Sequence, residues 1–399
     1  MTDPRPTIAQ IIPRLDAGGA EVTTLEVTEA IVKAGGRALI ITEGGRLAAP
    51  IAAAGGEIIA FPAASKNPAR ILGNGYRLRA LAQRESVRLI HARSRAPAWS
   101  ALIAARSLRL PLVTTYHGAY QERGGLKKLY NGVMARADVV IANSRYTARA
   151  IMSRYGTPEG GIATIFRGVD LDRFAPDKVA PERVDRLRQQ WGIEAGQRVV
   201  LHAARLTPLK GQAVVIAAAR RLAEQRLCED CVFVLAGAGP RSGYRAALVD
   251  KIEAAGLAGR VRLVGHLDDM PAGLAAAELA LMVSTEPEGF GRVAVEAQAM
   301  RCPVIASEIG ALPEAVRTGA DAAEATGWLV QPGDAAALAA AIAHALTLPS
   351  AARAAMGARG RAFVVAHYSI TELQRQTLAV YDRLLGTDLA LRFDGGART

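Results

Sequence analysis

Apolar and polar residues alternate in short blocks along this chain. In the first half, apolar runs of strand length recur: TIAQIIP (7–13), RALIIT (37–42), EIIAFP (57–62), VRLIHA (87–92), LVTTYH (112–117) and DVVIAN (138–143). Apolar residues at helical spacing fill 20–34, 97–109 and 145–154 between them. Strands that are apolar on both faces and alternate with helices predict a parallel sheet covered on both sides. The rhythm stops over 166–197, FRGVDLDRFAPDKVAPERVDRLRQQWGIEAGQ, where Pro, Asp and Arg replace it. That stretch reads as a linker and the entry to a second domain.

The rhythm then restarts with RVVLHAA (198–204), CVFVLAG (231–237), VRLVG (261–265), LALMVS (279–284), PVIAS (303–307) and GWLV (327–330). Helices are expected near 211–227, 241–256, 291–301 and 334–347, and the Ala-rich tail 351–385 reads as helical throughout. Two α/β halves, 1–175 and 176–367, follow, with a cleft between them and ligands bound outside the carboxyl ends of the strands.

A length of 399 residues fits two such domains. Three cysteines make no disulfide framework, and Cys228 and Cys231 read as partly buried thiols. The start, MTDPRPTIAQ, is polar, and no apolar run is long enough for a bilayer, so a cytoplasmic protein is expected. The charge is lopsided. Of the net +12, residues 1–183 hold +11 (26 Lys+Arg against 15 Asp+Glu). Residues 66–109 alone carry ten basic groups, among them Arg77, Arg79, Arg84 and Arg88, against the single acid Glu85. Such a face suits an anionic membrane, an anionic substrate or nucleic acid; a solvated helix face is the plainer reading. Trp99 is the one aromatic between 77 and 109, which disfavours nucleic acid, since basic nucleic-acid modules interleave stacking platforms.

Several stretches carry candidate chemistry. HAARLTPLKG (202–211) leaves a strand, passes Arg205 and Lys210 and reaches Gly211 before a helix, a natural site for phosphate oxygens. LDAGGAE (15–21), with Gly18 and Gly19, and VLAGAGP (234–240), with Gly239, are turns that let backbone approach a ligand. TTYHG (114–118) puts His117 at a strand end. The D-L-D of GVDLDRF (168–174) has no third ligand close by and reads as linker, so no metal is expected. EGFGRVAVE holds Glu288 and Glu296 eight residues apart, about 12 Å along a helix. That spacing suits gripping two ends of one extended ligand, with the backbone at Gly289, Phe290 and Gly291 between them.

The E-x7-E spacing in EGFGRVAVEAQAMRCPVIAS, together with ARLTPLKG, resembles the retaining glycosyltransferases of family 4. GGAEVTTLEVTEAIVKAGGRALI, TTYHG and GVDLDRFAP resemble that family's first loop and helix, its histidine stretch and its interdomain segment. The resemblance implies a GT-B fold: two facing Rossmann-like domains with a helix near 368–386 crossing back onto the first. It implies that Arg205 and Lys210 hold the diphosphate of a UDP- or GDP-sugar and Glu296 the ribose. Glu288 and the backbone of Gly289, Phe290 and Gly291 would address the donor sugar, and the VGHLDD stretch with His266 and Leu267 the base. Gly19 and Gly239 would lie by the donor, and His117 by the transferred sugar. The implied catalytic set is His117, Glu288, Arg205 and Lys210, with no metal and no cofactor.

Two positions depart from the family pattern: Arg167, where Pro or Asn often precedes Gly, and Arg301–Cys302, where Gly usually stands. The implied reaction moves a hexose, with retention, to a glycan or lipid-linked acceptor, in lipopolysaccharide or other envelope polysaccharide synthesis. The basic first half then suggests an enzyme peripheral to the inner face of an anionic membrane. A GT-B epimerase or phosphorylase is the rival within enzymes, and a nucleic-acid-binding protein the rival outside them.

Overall fold

The computed structural model describes residues 5–16, 19–118, 125–239, 243–319 and 324–395. Thirteen strands are described among them. The first seven are β1 (Thr7–Ile11), β2 (Arg37–Thr42), β3 (Glu57–Ala60), β4 (Val87–Ala92), β5 (Leu112–Tyr116), β6 (Val139–Ala142) and β7 (Ile162–Thr164). They form one sheet in the order β3-β2-β1-β4-β5-β6-β7. The remaining six are β8 (Arg198–Ala203), β9 (Cys231–Ala236), β10 (Val261–Gly265), β11 (Ala277–Met282), β12 (Val304–Ser307) and β13 (Gly327–Val330). They form a second sheet, β10-β9-β8-β11-β12-β13. Every pairing is parallel.

The sequence pattern explains the sheets. In β1 all five residues of TIAQI are buried, as two-sided coverage requires. Neighbouring residues serve opposite faces: Leu39 and Ile90 join one apolar cluster, Ile40 and Leu89 the other. In each sheet the order reverses beside the first strand, at β1/β4 and at β8/β11. Crossovers on the two sides of such a point leave toward opposite faces and open a crevice at the carboxyl ends.

Contacts divide the chain into Met1–Arg167 with Ile370–Thr399, and Gly168–Ser369. The first unit is therefore discontinuous. Its helix Ile370–Leu385 buries Leu378 and Tyr381 among Ile8, Ile12 and Ile40, and Gln374 donates to the Glu26 carbonyl at 2.7 Å. Chain hand-over falls at 167/168, eight residues before the sequence-based boundary, because Val169 bridges to Ser369 and donates its N–H to the Tyr368 carbonyl at 2.7 Å.

Three expectations need correction. The linker 166–197 contains a helix, Pro181–Gln190; none of its residues is fully buried, and its short apolar stripe, Val184 and Leu187 running on to Trp191, is hidden among Pro, Asp and Arg. The tail is not one helix. Ser350–His367 ends, Tyr368 sends its hydroxyl to the Glu314 carbonyl at 2.6 Å, and a new helix starts at Ile370. The basic residues of 66–109 do not share one face: Arg93 is 2% exposed, and Arg106 pairs with Asp138 at 3.0 Å. Among the described residues no single helix is long and apolar enough to cross a membrane.

Gly357 offers a test of packing against propensity. A mid-helix Gly→Ala change adds about 1 kcal/mol of helix propensity. A Cβ at Gly357, however, would sit 2.1 Å from the Arg301 carbonyl oxygen, in rigid backbone. Packing wins, and Gly357→Ala should lower the unfolding temperature by several degrees in calorimetry. A rise would show that propensity decides.

Candidate functional site

The second unit gathers most of the sequence-derived candidates at the carboxyl ends of its strands. After β8 the chain runs through exposed Arg205 into a short turn, Pro208–Lys210, and then Gly211. Gly211 has φ +80°, and a Cβ there would lie 2.0 Å from the Val283 carbonyl oxygen just after β11. Only glycine allows this approach. It brings Lys210 from the β8 loop to Glu288 from the β11 loop, and the two form an ion pair. Ser284 donates to the same Glu288 oxygen at 2.5 Å. The Glu288 backbone is clamped too: Gly310, φ +64°, packs on it, and Ala311 N–H donates to its carbonyl at 2.9 Å. Gln212 holds the Arg205 carbonyl at 2.9 Å, which fixes the loop and leaves the guanidinium exposed.

The neighbouring loops run alongside. Leu206 N–H donates to the Ala238 carbonyl at 3.1 Å, and Gly237 N–H to the Gly265 carbonyl at 2.6 Å. A Cβ at Gly239 would come within 3.0 Å of Leu206. Arg205, Gly239 and His266 thus belong to three successive loops on one edge of the sheet. His266 is exposed and stands 3.4 Å from Asp268. With Leu267 it lines an open groove of about 550 Å³ whose other wall includes Arg183 and Trp191 from the linker helix region. Arg183 grips Asp269 through two bonds, 2.7 and 2.9 Å.

Glu296 is placed differently from Glu288. The helix starts only at Arg292, with Gly291 before it, so the 12 Å helical separation does not apply. Glu296 is 6% exposed and bonds to Arg292 at 2.7 Å. Burial pushes its carboxyl above the ordinary range, and Arg292 pulls it part of the way back. Phe290 stacks at a tilt on Tyr368, ring centroids 5.9 Å apart. Gly291 fits against Leu312 and Ala315, where a Cβ would be 3.0 and 3.1 Å from their side chains.

In the first unit, Gly19, His117 and Arg167 come together. Arg167 Nη2 lies 2.8 Å from His117 Nδ1, and a Cβ at Gly19 would meet Arg167 Nη1 at 2.0 Å. A guanidinium only donates, so His117 Nδ1 accepts and its proton is on Nε2. Burial first, then Arg167 and Arg93, hold this imidazole well below its usual range. Gly18 lies outside the described residues. Arg77, Arg79 and Arg84 are exposed on or at the end of helix Pro68–Arg84, whereas Arg88 is half-buried on β4.

The D-L-D pair caps a turn: Asp170 accepts from the N–H groups of Asp172 and Arg173, and Asp172 pairs with Lys178. Among the described residues no three His, Cys, Asp or Glu side chains gather as metal ligands. Ser284 and Asn143 went unnoticed in the sequence, and Arg93 was counted only among the basic residues of 66–109. Ser284 had a signal, its place at the end of an apolar strand.

Two family profiles match the chain: Glycosyltransferase Family 4 over residues 17–173 and Glycosyl transferases group 1 over 183–363. The chain belongs to the group 1 glycosyltransferases. Its two units are the Rossmann-like halves of a GT-B fold. Over 256 residues this glycosyltransferase is 34% identical to a D-inositol 3-phosphate glycosyltransferase of Salinispora tropica, covering 62% of this chain and 52% of that one. The chain thus spans about half the length of the curated relatives it matches. A glycosyltransferase from Rickettsia africae has a similar structure, with TM-score 0.86, 28% identity, and 96% and 100% of the two chains covered. Anabaena HepE, solved with UDP and glucose, shares the fold at TM-score 0.79 and 24% identity, with 95% and 100% covered.

Three imidazoles, buried at His91 and His202 and half-buried at His117, set a pH dependence. His91, His117 and His202 are all held below the ordinary 6.5, each chiefly by burial. The unfolded chain binds protons near 6.5 that the folded chain refuses, so their contribution is present above 6.5 and is lost as pH falls below it. Each adds a slope of up to about 1.4 kcal/mol per pH unit. Calorimetric melts at pH 7.5, 6.5 and 5.5 should show falling stability below 6.5. A flat profile across that interval would contradict the burial of these rings.

Proposed function

We propose that this glycosyltransferase moves a hexose from a UDP- or GDP-sugar to a hydroxyl of a glycan or lipid-linked acceptor, with retention and without a metal. The observation that carries the reading is the Lys210–Glu288 pair, held at the strand-order reversal of the second sheet beside exposed Arg205. Negative charge grows on the leaving diphosphate in the transition state. Lys210, held by Glu288, and the exposed Arg205 are two cations at a sheet's carboxyl edge, suited to meet it. Glu288, steadied by Ser284, would accept bonds from sugar hydroxyls, and Glu296 would do so from the ribose. His117, steadied by Arg167, would lie beside the transferred sugar. UDP in HepE and the sugar transfer named for the curated relatives support a nucleotide-sugar donor.

The acceptor side reads as a membrane-surface one, in lipopolysaccharide or related envelope synthesis on the inner, cytoplasmic face. Helix Pro68–Arg84 supports it, since Leu72 and Tyr76 are 51% and 60% exposed one turn apart, beside Arg77 and Arg79. Exposed apolar groups among arginines are what an interfacial helix presents to anionic lipid.

Glu288→Ala and Lys210→Ala should each lower transfer from the cognate sugar nucleotide at least about 100-fold, the scale for one preorganised contact. Near-normal turnover in either variant would overturn the site. Activity should survive excess EDTA; a full loss restored by Mn²⁺ or Mg²⁺ would overturn metal independence. The one-bond C1–H1 coupling of the product, compared with that of the donor sugar, reads retention directly by NMR.

On vesicles, binding should need anionic lipid, weaken with salt and fall when Arg77, Arg79, Arg84 and Arg88 become Gln. Equal recovery with neutral lipid, or none with either, would falsify the surface reading.

A further inference from the structure

The first unit contains a small pocket with an unusual charge balance, part of its wall formed by the apolar Ile141, Ile165 and Leu373. Its volume is about 10 Å³, room for one body of roughly water size. Arg93, Thr115, Asn143 and Thr377 line it, all nine-tenths or more buried, with His117 and Arg167 at its more exposed side. No carboxylate lines it.

Arg93 is the centre of the argument. A guanidinium cannot shed its proton to escape burial. A buried charge therefore calls for a counter-charge or a full set of hydrogen bonds. Arg93 spends two donors, Nε at 3.0 Å and Nη2, on the single oxygen of Gln10, a neutral amide. It makes no ion pair among the described residues, and Glu26 acts on it only through space. Asn143, 2% exposed, has neither amide atom bonded. Donors and positive charge thus converge on one small volume.

We propose that this pocket binds one compact inorganic anion of halide size, with the Arg93 guanidinium as its counter-charge and the Asn143 amide as a donor. The volume is too small for a tetrahedral oxyanion to enter whole. Because His117 and Arg167 form the same wall, the bound anion steadies the pair that faces Gly19.

Calorimetric melts of the full chain in sodium chloride and in sodium gluconate, at equal ionic strength, test this. Chloride should raise the unfolding temperature saturably, by about 2–4 °C over gluconate. Bromide-soaked crystals should show an anomalous peak between Arg93 and Asn143. Arg93→Met should abolish the chloride response. If that variant does not fold, Asn143→Ala should move the chloride midpoint at least tenfold upward. Superimposable curves in the two salts, an ordered water without bromide signal, or a response untouched by the variant would each overturn the site.

Discussion

A parallel strand can be reached from its neighbour only by a crossover over one face of the sheet, and that crossover is right-handed. The molecule is organised by this constraint. Each sheet begins in its middle, at β1 or β8, grows outward two strands, then returns to grow on the other side. The reversal sends consecutive loops to opposite faces and leaves a gap at the carboxyl ends. Arg205, Lys210 and Glu288 in the second unit, and Gly19 and His117 in the first, all sit just past strand ends because the topology puts ligand-facing positions there.

Glycine then decides how close those loops come. At Gly211 and Gly310 the backbone is left-handed and pressed against a carbonyl or amide of the opposite loop. Lys210 and Glu288 meet because side chains are missing next to them. Arg301 occupies the same left-handed region, φ +58°, without being glycine.

Much of this was legible in the chain. The strands were visible because two-sided burial requires unbroken apolar runs, and the Glu288 loop because acids and glycines interrupt one. Features set by distant partners were not legible. The helix Pro181–Gln190 shows only Val184 and Leu187 as its apolar stripe, two residues lost among charges and prolines. Tyr368 breaks the tail because of a carbonyl 54 residues away in sequence. Arg93 looked like one more surface cation in an Arg-rich stretch. Its neighbour across the sheet, Gln10, and the stacked Tyr381–His91–Thr115 chain of hydrogen bonds draw that strand end into the interior. Nothing local distinguishes it from Arg88.

The discontinuity of the first unit bears on how the protein is made. Its core is closed by Leu378, Tyr381, Leu389 and Phe393, which are synthesised after the whole of the second unit. The second unit, continuous from Gly168 to Ser369, has all its strands in hand before those residues are synthesised. Vectorial synthesis therefore inverts the usual N-to-C order of domain completion. Until the tail docks, the nascent first sheet carries an uncovered apolar face, and that exposure lasts while the roughly two hundred residues of the second unit are translated.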